Sequence, residues 1–301
     1  MSKILTVFGA TGSQGGSVIK SIREHPTLSR TYKIRGVTRS LHSAVSRSLA
    51  AEGVDMVQAD LNEVESVYRA ILGSYAVFAM TNFWEYRSAE VEFAQGKAIA
   101  DACKKVEIEC LIWSTLSHAT TVSAGKLRLI HHFDSKADVE TYIRSIHVPA
   151  SFVNPGCFMS NLKTILTKTD DGSYELTLPM PSTTEIPLID EANDTGKWVA
   201  SVLSKPSEAL GQHFLEAARW YTINDICAIF AKVTGKQILF QQVSESAFAA
   251  TNGEEVCEAW ILLRDYAYFG LDAKVRLQAS LEFLGQQPTS LEQYLVDSSP
   301  W

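Results

Sequence analysis

The chain has 301 residues, of which 46% are hydrophobic, 10% aromatic and 20% charged. This composition is close to the globular average and argues against a disordered chain, a coiled coil or a collagen-like fibre. The 27 basic and 34 acidic residues give a formal charge of −7, and the longest basic run is Lys104-Lys105. Direct nucleic-acid binding needs a dense basic stripe and is therefore not expected.

The sequence also argues against a membrane protein and a metalloprotein. No window approaches the roughly 20 apolar residues that cross a bilayer, and residues 1–8 lack the features of a signal peptide. The cysteines form no C-x-x-C pair and have no histidine at zinc-ligand spacing, which indicates reduced core thiols and no metal site. We therefore expect a cytoplasmic protein without membrane contact, with the nucleus as the alternative compartment.

Strands and helices alternate through the first half of the chain. Short apolar runs predict strands at 4–8, 32–38, 54–59, 75–80, 110–114 and 150–153. Helical spacing predicts helices at 15–23, 43–51, 64–72, 90–105 and 134–145. Because buried strands joined by helices pair in parallel, and right-handed crossovers put helices on both faces, this pattern predicts a doubly wound α/β sheet.

The alternation is less regular after Pro155. Residues 169–187 are rich in Thr, Ser, Asp and Pro and predict a loop or hairpin. The further predicted elements are strands at 186–189, 212–215 and 236–243 and helices at 195–203, 222–234 and 254–268, with Thr222 as an N-cap. We therefore expect a dinucleotide-binding domain over residues 1–155 and a smaller, partly interwoven α/β lobe for a substrate or partner over 156–301.

A glycine-rich turn, GATGSQGG, lies between the first strand and the first helix. Such a turn lets the backbone approach a pyrophosphate, while the helix N-terminus supplies free N–H groups and a partial positive charge. The spacing G-x-x-G-x-x-G also occurs in turns that serve only helix–strand packing, but the strand-turn-helix context favours cofactor binding. The candidate cofactor-binding residues of this turn are Gly9, Thr11, Gly12, Ser13, Gln14 and Gly15.

The residues after the second and third strands bear on the choice of cofactor. The second strand ends in Thr38-Arg39-Ser40 without a carboxylate. An arginine there pairs bidentately with a 2′-phosphate and stacks on adenine, which favours NADP(H) over NAD(H), although Arg39 could also be a solvated surface residue. Asp60 and Leu61 follow the third strand and are placed to meet the adenine edge, although Asp60 could equally be the N-cap of the next helix.

Several longer segments carry a family resemblance. Besides the glycine turn they are 37–39, 81–85, 95–97, 132–136, 154–158 and 161–162, with a weaker likeness as far as 291–295. Together they resemble the NmrA-like family of atypical short-chain dehydrogenases/reductases, and most of all its shorter, redox-sensing NADP(H)-binding branch. The resemblance implies a Rossmann-type domain in which the glycine turn, Arg39 and Asp60 hold NADP(H). It adds as cofactor-binding residues Thr81, Asn82, Phe83, Lys136, Phe158 and Asn161.

The position of Lys136 raises the question of catalysis. Lys136 lies in the helix after the fifth strand and could reach the nicotinamide ribose, a surface helix lysine being the alternative. Carbonyl-reducing members of the wider superfamily place a proton-donating tyrosine four residues before this lysine. Here that position is His132, and the resemblance implies that NmrA-like regulators share the loss.

Two functions are compatible with these residues. The first is an NADPH-dependent oxidoreductase, or a cofactor-assisted enzyme, for a small organic molecule of the secondary-metabolite kind, with Lys136 or His132 as acid or base. The second is a non-catalytic redox sensor that reads NADPH/NADP⁺ and binds a regulatory protein partner, and either could form a homodimer. The retained lysine favours the enzyme and the missing tyrosine the sensor; on balance we favour the enzyme.

Overall fold

The computed structural model describes residues 2–301, which divide into two compact units. The first unit comprises residues 2–118, His132–Asn154 and Ala192–Phe214, and the second comprises Ala119–His131, Pro155–Glu191 and Leu215–Trp301. Each unit is therefore built from discontinuous segments of the chain. A single boundary at residue 155 assigns the segments 119–131 and 192–214 to the opposite units.

The elements of both units are numbered in chain order. The strands are β1 (Lys3–Val7), β2 (Tyr32–Thr38), β3 (Asp55–Gln58), β4 (Ala76–Ala79), β5 (Cys110–Ser114), β6 (Ala150–Pro155), β7 (Cys157–Phe158), β8 (Thr167–Lys168), β9 (Tyr174–Leu178), β10 (Glu185–Ile189), β11 (His213–Glu216), β12 (Arg219–Thr222) and β13 (Ile238–Gln242). The helices are α1 (Ser13–Glu24), α2 (Leu28–Thr31), α3 (Ala44–Ala51), α4 (Val64–Ile71), α5 (Phe83–Tyr86), α6 (Ala89–Val106), α7 (Ala119–Val122), α8 (His131–Ser145), α9 (Leu162–Ile165), α10 (Glu191–Ser204), α11 (Pro206–Ala209), α12 (Ile223–Thr234), α13 (Glu245–Asn252), α14 (Glu254–Tyr266), α15 (Ala273–Leu284) and α16 (Leu291–Asp297). A 3₁₀ turn (Met159–Asn161) precedes α9.

The first unit is built on a sheet with the strand order β11-β6-β5-β4-β1-β2-β3. The pairings from β3 across to β6 are all parallel. The chain runs outward from β1 to β3, returns to β4 beside β1, and then runs outward in the other direction, so the strand order reverses between β1 and β4. The doubly wound α/β fold is thereby confirmed, and open sheets of this kind bind ligands at the carboxyl ends of the strands beside such a reversal.

Apolar strands and helices form the core of this unit. Every residue of β4, β5 and β6 is buried, which is expected for parallel strands covered on both faces. Trp113 of β5 and Phe152 of β6 are two large side chains of a cluster that also contains residues of α4, α6 and α8. The Trp113 indole is satisfied by the carbonyl of Lys136, which is 3.2 Å from Nε1. Burial of the indole therefore leaves no unpaired polar group.

The second unit contains two three-stranded sheets, ordered β12-β10-β7 and β13-β9-β8. The region 169–187, expected as a loop or hairpin, holds β9, which pairs antiparallel with β8 and parallel with β13. Helix α12 begins at the predicted cap: Thr222 accepts from the backbone of Asp225, and the Asp225 carboxylate accepts from the backbone of Thr222. Helices α13, α15 and α16 were not among the elements predicted from the sequence.

The helices and the His, Cys, Asp and Glu side chains of residues 2–301 bear on membrane and metal binding. No helix in this part of the chain has the length and hydrophobicity to cross a membrane. The same residues contain no group of three or more His, Cys, Asp or Glu side chains arranged to hold a metal ion.

Candidate functional site

A cavity of about 410 Å³ opens at the carboxyl ends of β1 to β4 in the first unit. Its volume is in the usual range for small-molecule sites. The turn after β1 forms one wall, and the residues that follow β2, β3 and β4 form the others. Of the predicted residues, the cavity brings together Gly9, Thr11, Gly12, Ser13, Gln14, Gly15, Arg39, Asp60, Leu61 and Asn82.

The glycine turn has the geometry that a close backbone approach requires. Gly9 adopts a φ of 65°, and its carbonyl accepts from the N–H of Gly12 at 2.9 Å. A Cβ on Gly15 would lie 2.2 Å from the Gly9 carbonyl oxygen, so only glycine fits there. Helix α1 begins at Ser13, and its first-turn amides, which have no acceptor within the helix, belong to the cavity wall. The Gln14 side chain is fixed by a 2.8 Å bond from the Ser114 hydroxyl at the end of β5.

Arg39 lies one residue beyond β2 and forms an ion pair with Glu85 of α5. The Arg39 side chain is 62% exposed and the Glu85 side chain 29% exposed, and both line the cavity. The carbonyl of Arg39 accepts a 3.0 Å hydrogen bond from Gln58, which holds its backbone in place. The guanidinium therefore faces the cavity rather than open solvent alone.

A polar network surrounds Asp60. Its carboxylate accepts from the backbone N–H and side-chain amide of Asn62 at 2.9 and 3.0 Å, whereas the N-cap of α4 is Glu63. The alternative role of Asp60 as a helix cap is therefore wrong. Asn62 also donates to the Tyr86 hydroxyl and accepts from Gln95, each at 3.0 Å. The network ties three separate segments into one wall of the cavity.

Lys136 is largely buried and its ammonium is fully engaged by the protein. It donates to the carbonyl and hydroxyl of Thr81, each at 2.9 Å, and to the Glu92 carboxylate. Glu92 is 2% exposed and also accepts from the hydroxyls of Thr81 and Ser135. Burial lowers the pKa of Lys136, and the Glu92 carboxylate acts in the opposite direction. Lys136 is thus no surface lysine, because all three ammonium protons bind protein acceptors.

His132 lies one helical turn before Lys136, in an aromatic cluster. Its ring centroid is 4.8 Å from that of Trp84, 5.0 Å from Phe133 and 5.7 Å from Phe83. The walls of the cavity do not include His132, Lys136, Thr81 or Phe83. Phe158 and Asn161 belong to the second unit, at the ends of β7 and of the 3₁₀ turn. The functional roles of these six residues stay predictions.

The sequence pattern of the NmrA-like family matches residues 1–295. The chain belongs to the NmrA-like family. This NmrA-like protein is 32% identical over 260 residues to the NmrA-like family domain-containing oxidoreductase ptmS of Penicillium ochrochloron, an alignment that covers 80% of this chain and 76% of the relative. It is 28% identical over 259 residues to the oxidoreductase lnaB of Aspergillus flavus, with the same coverage of both chains.

Solved structures share the fold of this NmrA-like protein. The negative transcriptional regulator NmrA superposes with a TM-score of 0.84 at 21% identity, covering 99% of this chain and 96% of NmrA. NmrA in complex with NADP gives a TM-score of 0.82 at 20% identity, with 99% and 95% covered. The triphenylmethane reductase of Citrobacter sp. complexed with NADP(H) gives 0.74 at 19% identity, with 98% and 100% covered. The resemblance in fold thus extends to a regulator and to a reductase.

Two acidic residues near the site, Glu85 and Glu92, were not among the residues predicted from the sequence. Glu85 has no local signal, because its place in the cavity depends on how α5 meets the end of β2. Glu92 does have one: it lies on the buried stripe of α6 with Gly96, Ile99 and Cys103. A carboxylate on an otherwise apolar or small-residue stripe indicates a buried partner of opposite charge.

Proposed function

We propose that this NmrA-like protein is an NADP(H)-dependent oxidoreductase that acts on a small organic molecule. The observation that carries the proposal is the cavity beside the reversal of strand order, because the glycine turn and Arg39 both line it. The first-turn amides of α1 suit a pyrophosphate, and the guanidinium of Arg39 suits a 2′-phosphate. When bound, NADPH supplies the hydride for a reduction.

Different residues of the cavity bind different parts of the cofactor in this proposal. The turn from Gly9 to Gly15 receives the phosphates, because the helix dipole and free N–H groups favour an anion there. Arg39 pairs with the phosphate on the adenosine ribose. The network of Asp60 and Asn62 shapes the wall on which the adenine lies. These assignments agree with a chain whose overall charge repels anions, so that nucleotide affinity depends on local groups.

Of the two predicted acid/base groups, His132 fits the role better. The three protons of Lys136 are engaged by Thr81 and Glu92, so their release would break a buried ion pair. His132 is half-buried, and its imidazole can both accept and donate a proton. In this proposal Lys136 fixes the Thr81 peptide at the end of β4, and His132 exchanges a proton with the substrate.

A second candidate is a redox sensor that binds NADP(H) without turnover and contacts a regulatory protein or a second copy of the chain. Two observations favour it: a histidine replaces the expected tyrosine, and the fold matches that of NmrA, described as a negative transcriptional regulator. The oxidoreductase is preferred because relatives covering 80% of the chain carry that description.

Cofactor binding is tested first, by titrating NADPH and NADH against the wild type and Arg39→Ala. We expect the substitution to weaken NADPH binding roughly 10- to 100-fold, the value of a charge-assisted hydrogen bond, and to change NADH binding little. Arg30→Ala, at an exposed arginine on α2, is the matched control and leaves both affinities unchanged. Equal losses for both nucleotides would refute the role of Arg39.

Turnover is tested next, by following NADPH absorbance with a panel of carbonyl, imine and enone compounds, together with product analysis. We expect consumption by the wild type and a loss of at least tenfold in His132→Ala at saturating NADPH, as general acid–base catalysis predicts. Tight NADPH binding with no product from any compound favours the sensor instead. Absence of NADPH binding contradicts both candidates.

A further inference from the structure

The adenosine end of the cavity carries more negative than positive side chains, an unusual setting for a phosphate-rich ligand. Arg39 is the one cation among the lining residues, all of which belong to the described chain, and two carboxylates, Asp60 and Glu85, lie in the same lining. The Asp60 carboxylate is already used by Asn62. Glu85 instead forms an ion pair with Arg39, the group that the proposed function assigns to the 2′-phosphate.

The backbone fixes Glu85 in this position. Helix α5 is a single turn that ends at Arg87, which adopts a left-handed φ of 50° and donates to the Phe83 carbonyl at 2.7 Å. The next residue after Glu85, Tyr86, is held by its bond from Asn62. Arg39, in contrast, reaches Glu85 with a long side chain that is 62% exposed. The carboxylate is therefore the more fixed partner, and the guanidinium is the one free to turn.

We propose that Glu85 sets the cofactor preference of this site by competing with the 2′-phosphate for Arg39. The inference rests on the proposed function and names a residue that limits its selectivity. A 2′-phosphate must take the guanidinium from Glu85 and then lie near an unneutralised carboxylate. A nucleotide with a free 2′-hydroxyl leaves the ion pair between Arg39 and Glu85 intact. The Glu85 carboxylate can in addition accept a hydrogen bond from that hydroxyl.

The position of this carboxylate differs from the usual arrangement. An NAD-type site carries its acidic residue at the end of the second strand, and an NADP-type site carries an arginine nearby. Here the arginine lies at the end of β2 and the carboxylate arrives from α5, 46 residues further along the chain. Arg39 and Glu85 form an ion pair in one cavity. The negative charge of Glu85 therefore lowers the preference for NADP(H) that Arg39 creates.

The test uses 2′,5′-ADP and 5′-AMP, which isolate the adenosine end and differ in the 2′-phosphate. Their dissociation constants are measured by calorimetry for the wild type and Glu85→Gln, a substitution that removes the charge and keeps the shape. We expect 2′,5′-ADP to bind about two- to fivefold more tightly in the variant, as for loss of an exposed ion pair that competes with the ligand. We expect 5′-AMP to bind no more tightly than before, and the gain for 2′,5′-ADP to shrink at high salt.

Glu109→Gln is the matched control. Glu109 is exposed at the amino end of β5, the opposite edge of the sheet, and its substitution changes the net charge equally. It leaves both dissociation constants unchanged. A double variant, Arg39→Ala with Glu85→Gln, shows whether the gain requires the arginine, and we expect no gain relative to Arg39→Ala.

The outcomes separate the inference from the proposed function. Unchanged or weaker binding of 2′,5′-ADP by Glu85→Gln, or equal tightening of both ligands, overturns the role of Glu85. If at the same time the wild type binds NADPH and Arg39→Ala binds it roughly 10- to 100-fold more weakly, the proposed function stands alone. A wild type that binds neither 2′,5′-ADP nor NADPH overturns both.

Discussion

Lys136 and Glu92 form a buried ion pair that joins α8 to α6 beneath the end of β4. The pair is completed by Thr81, whose carbonyl and hydroxyl receive two of the lysine protons and whose hydroxyl donates to Glu92 at 2.7 Å. Loss of either charge leaves the other buried without compensation, which is far more costly than loss of an exposed pair. Lys136 thus ties α8 to α6 and to the segment that follows β4.

Replacing Glu92 by glutamine should destabilise the protein by about 3 kcal/mol, the value typical of a buried charge that loses its partner. The measurement is denaturant unfolding of the wild type and Glu92→Gln at neutral pH. Glu90→Gln, at an exposed position two residues earlier in the first turn of the same helix, should cost no more than about 1 kcal/mol. Equal effects of the two substitutions would show that the Glu92 carboxylate is not needed as a counter-charge.

The cost of Glu92→Gln should depend on pH with a defined sign. Burial lowers the pKa of Lys136 below its ordinary 10.5, and Glu92 opposes that shift. Without Glu92 the folded-state pKa falls further, so between that pKa and 10.5 the unfolded state binds more protons and stability rises with pH. The difference in unfolding free energy between the wild type and the variant should therefore shrink from pH 7 towards pH 10. A difference that stays constant over this range would contradict a charged Lys136 as the cause.

The features that the sequence predicts are those with local signals. The strands of the first unit appear as continuous apolar runs such as AVFA in β4, and the glycine turn and Arg39 follow directly from their places after β1 and β2. Strand β9 has only an alternating pattern and pairs with β13, more than 50 residues away, and such a short strand depends on its partners for its identity.

The acidic residues of the site depend on tertiary packing in the same way. Glu85 pairs with Arg39 across 46 residues of sequence, and Glu92 pairs with Lys136 across 44. Neither pairing follows from spacing along one element. Arg39 and Lys136 were therefore predictable as candidate site residues. The buried stripe of α6 gives a local signal for Glu92, whereas Glu85 has none.

Two neighbouring glycines of α1 should respond differently to alanine. At Gly15 a Cβ would lie 2.2 Å from the Gly9 carbonyl oxygen and 2.6 Å from its carbonyl carbon, whereas at Gly16 the nearest atom is 3.9 Å away. Gly15→Ala must therefore displace the turn, with a stability loss of about 1–3 kcal/mol and loss of nucleotide binding. Gly16→Ala should be neutral or stabilising by up to about 1 kcal/mol, because alanine is the better helix former. Unfolding and NADPH titration check both, and a Gly15→Ala protein with wild-type affinity would refute the close-approach role of the turn.

Cys110 and Cys157 should react slowly with thiol reagents in the folded protein. Burial raises the pKa of the Cys110 and Cys157 thiols to about 12. A hydrogen bond with Tyr268 acts in the opposite direction on the pKa of Cys157. At pH 8 only about one thiol in 10⁴ is then a thiolate, and the thiolate is the reactive species. Alkylation of Cys110 and Cys157 by iodoacetamide should therefore be slow in the folded protein and complete in denaturant.

An introduced cysteine provides the control for this measurement. Ser145 is exposed at the end of α8, so Ser145→Cys should gain one rapidly alkylated thiol while Cys110 and Cys157 stay unmodified in the same sample. Mass spectrometry of the digested protein assigns each site. Rapid native-state modification of Cys157 would contradict the raised pKa of its thiol and would give the sensor hypothesis a thiol route. Slow modification would show that neither Cys110 nor Cys157 is a reactive thiolate in the folded protein.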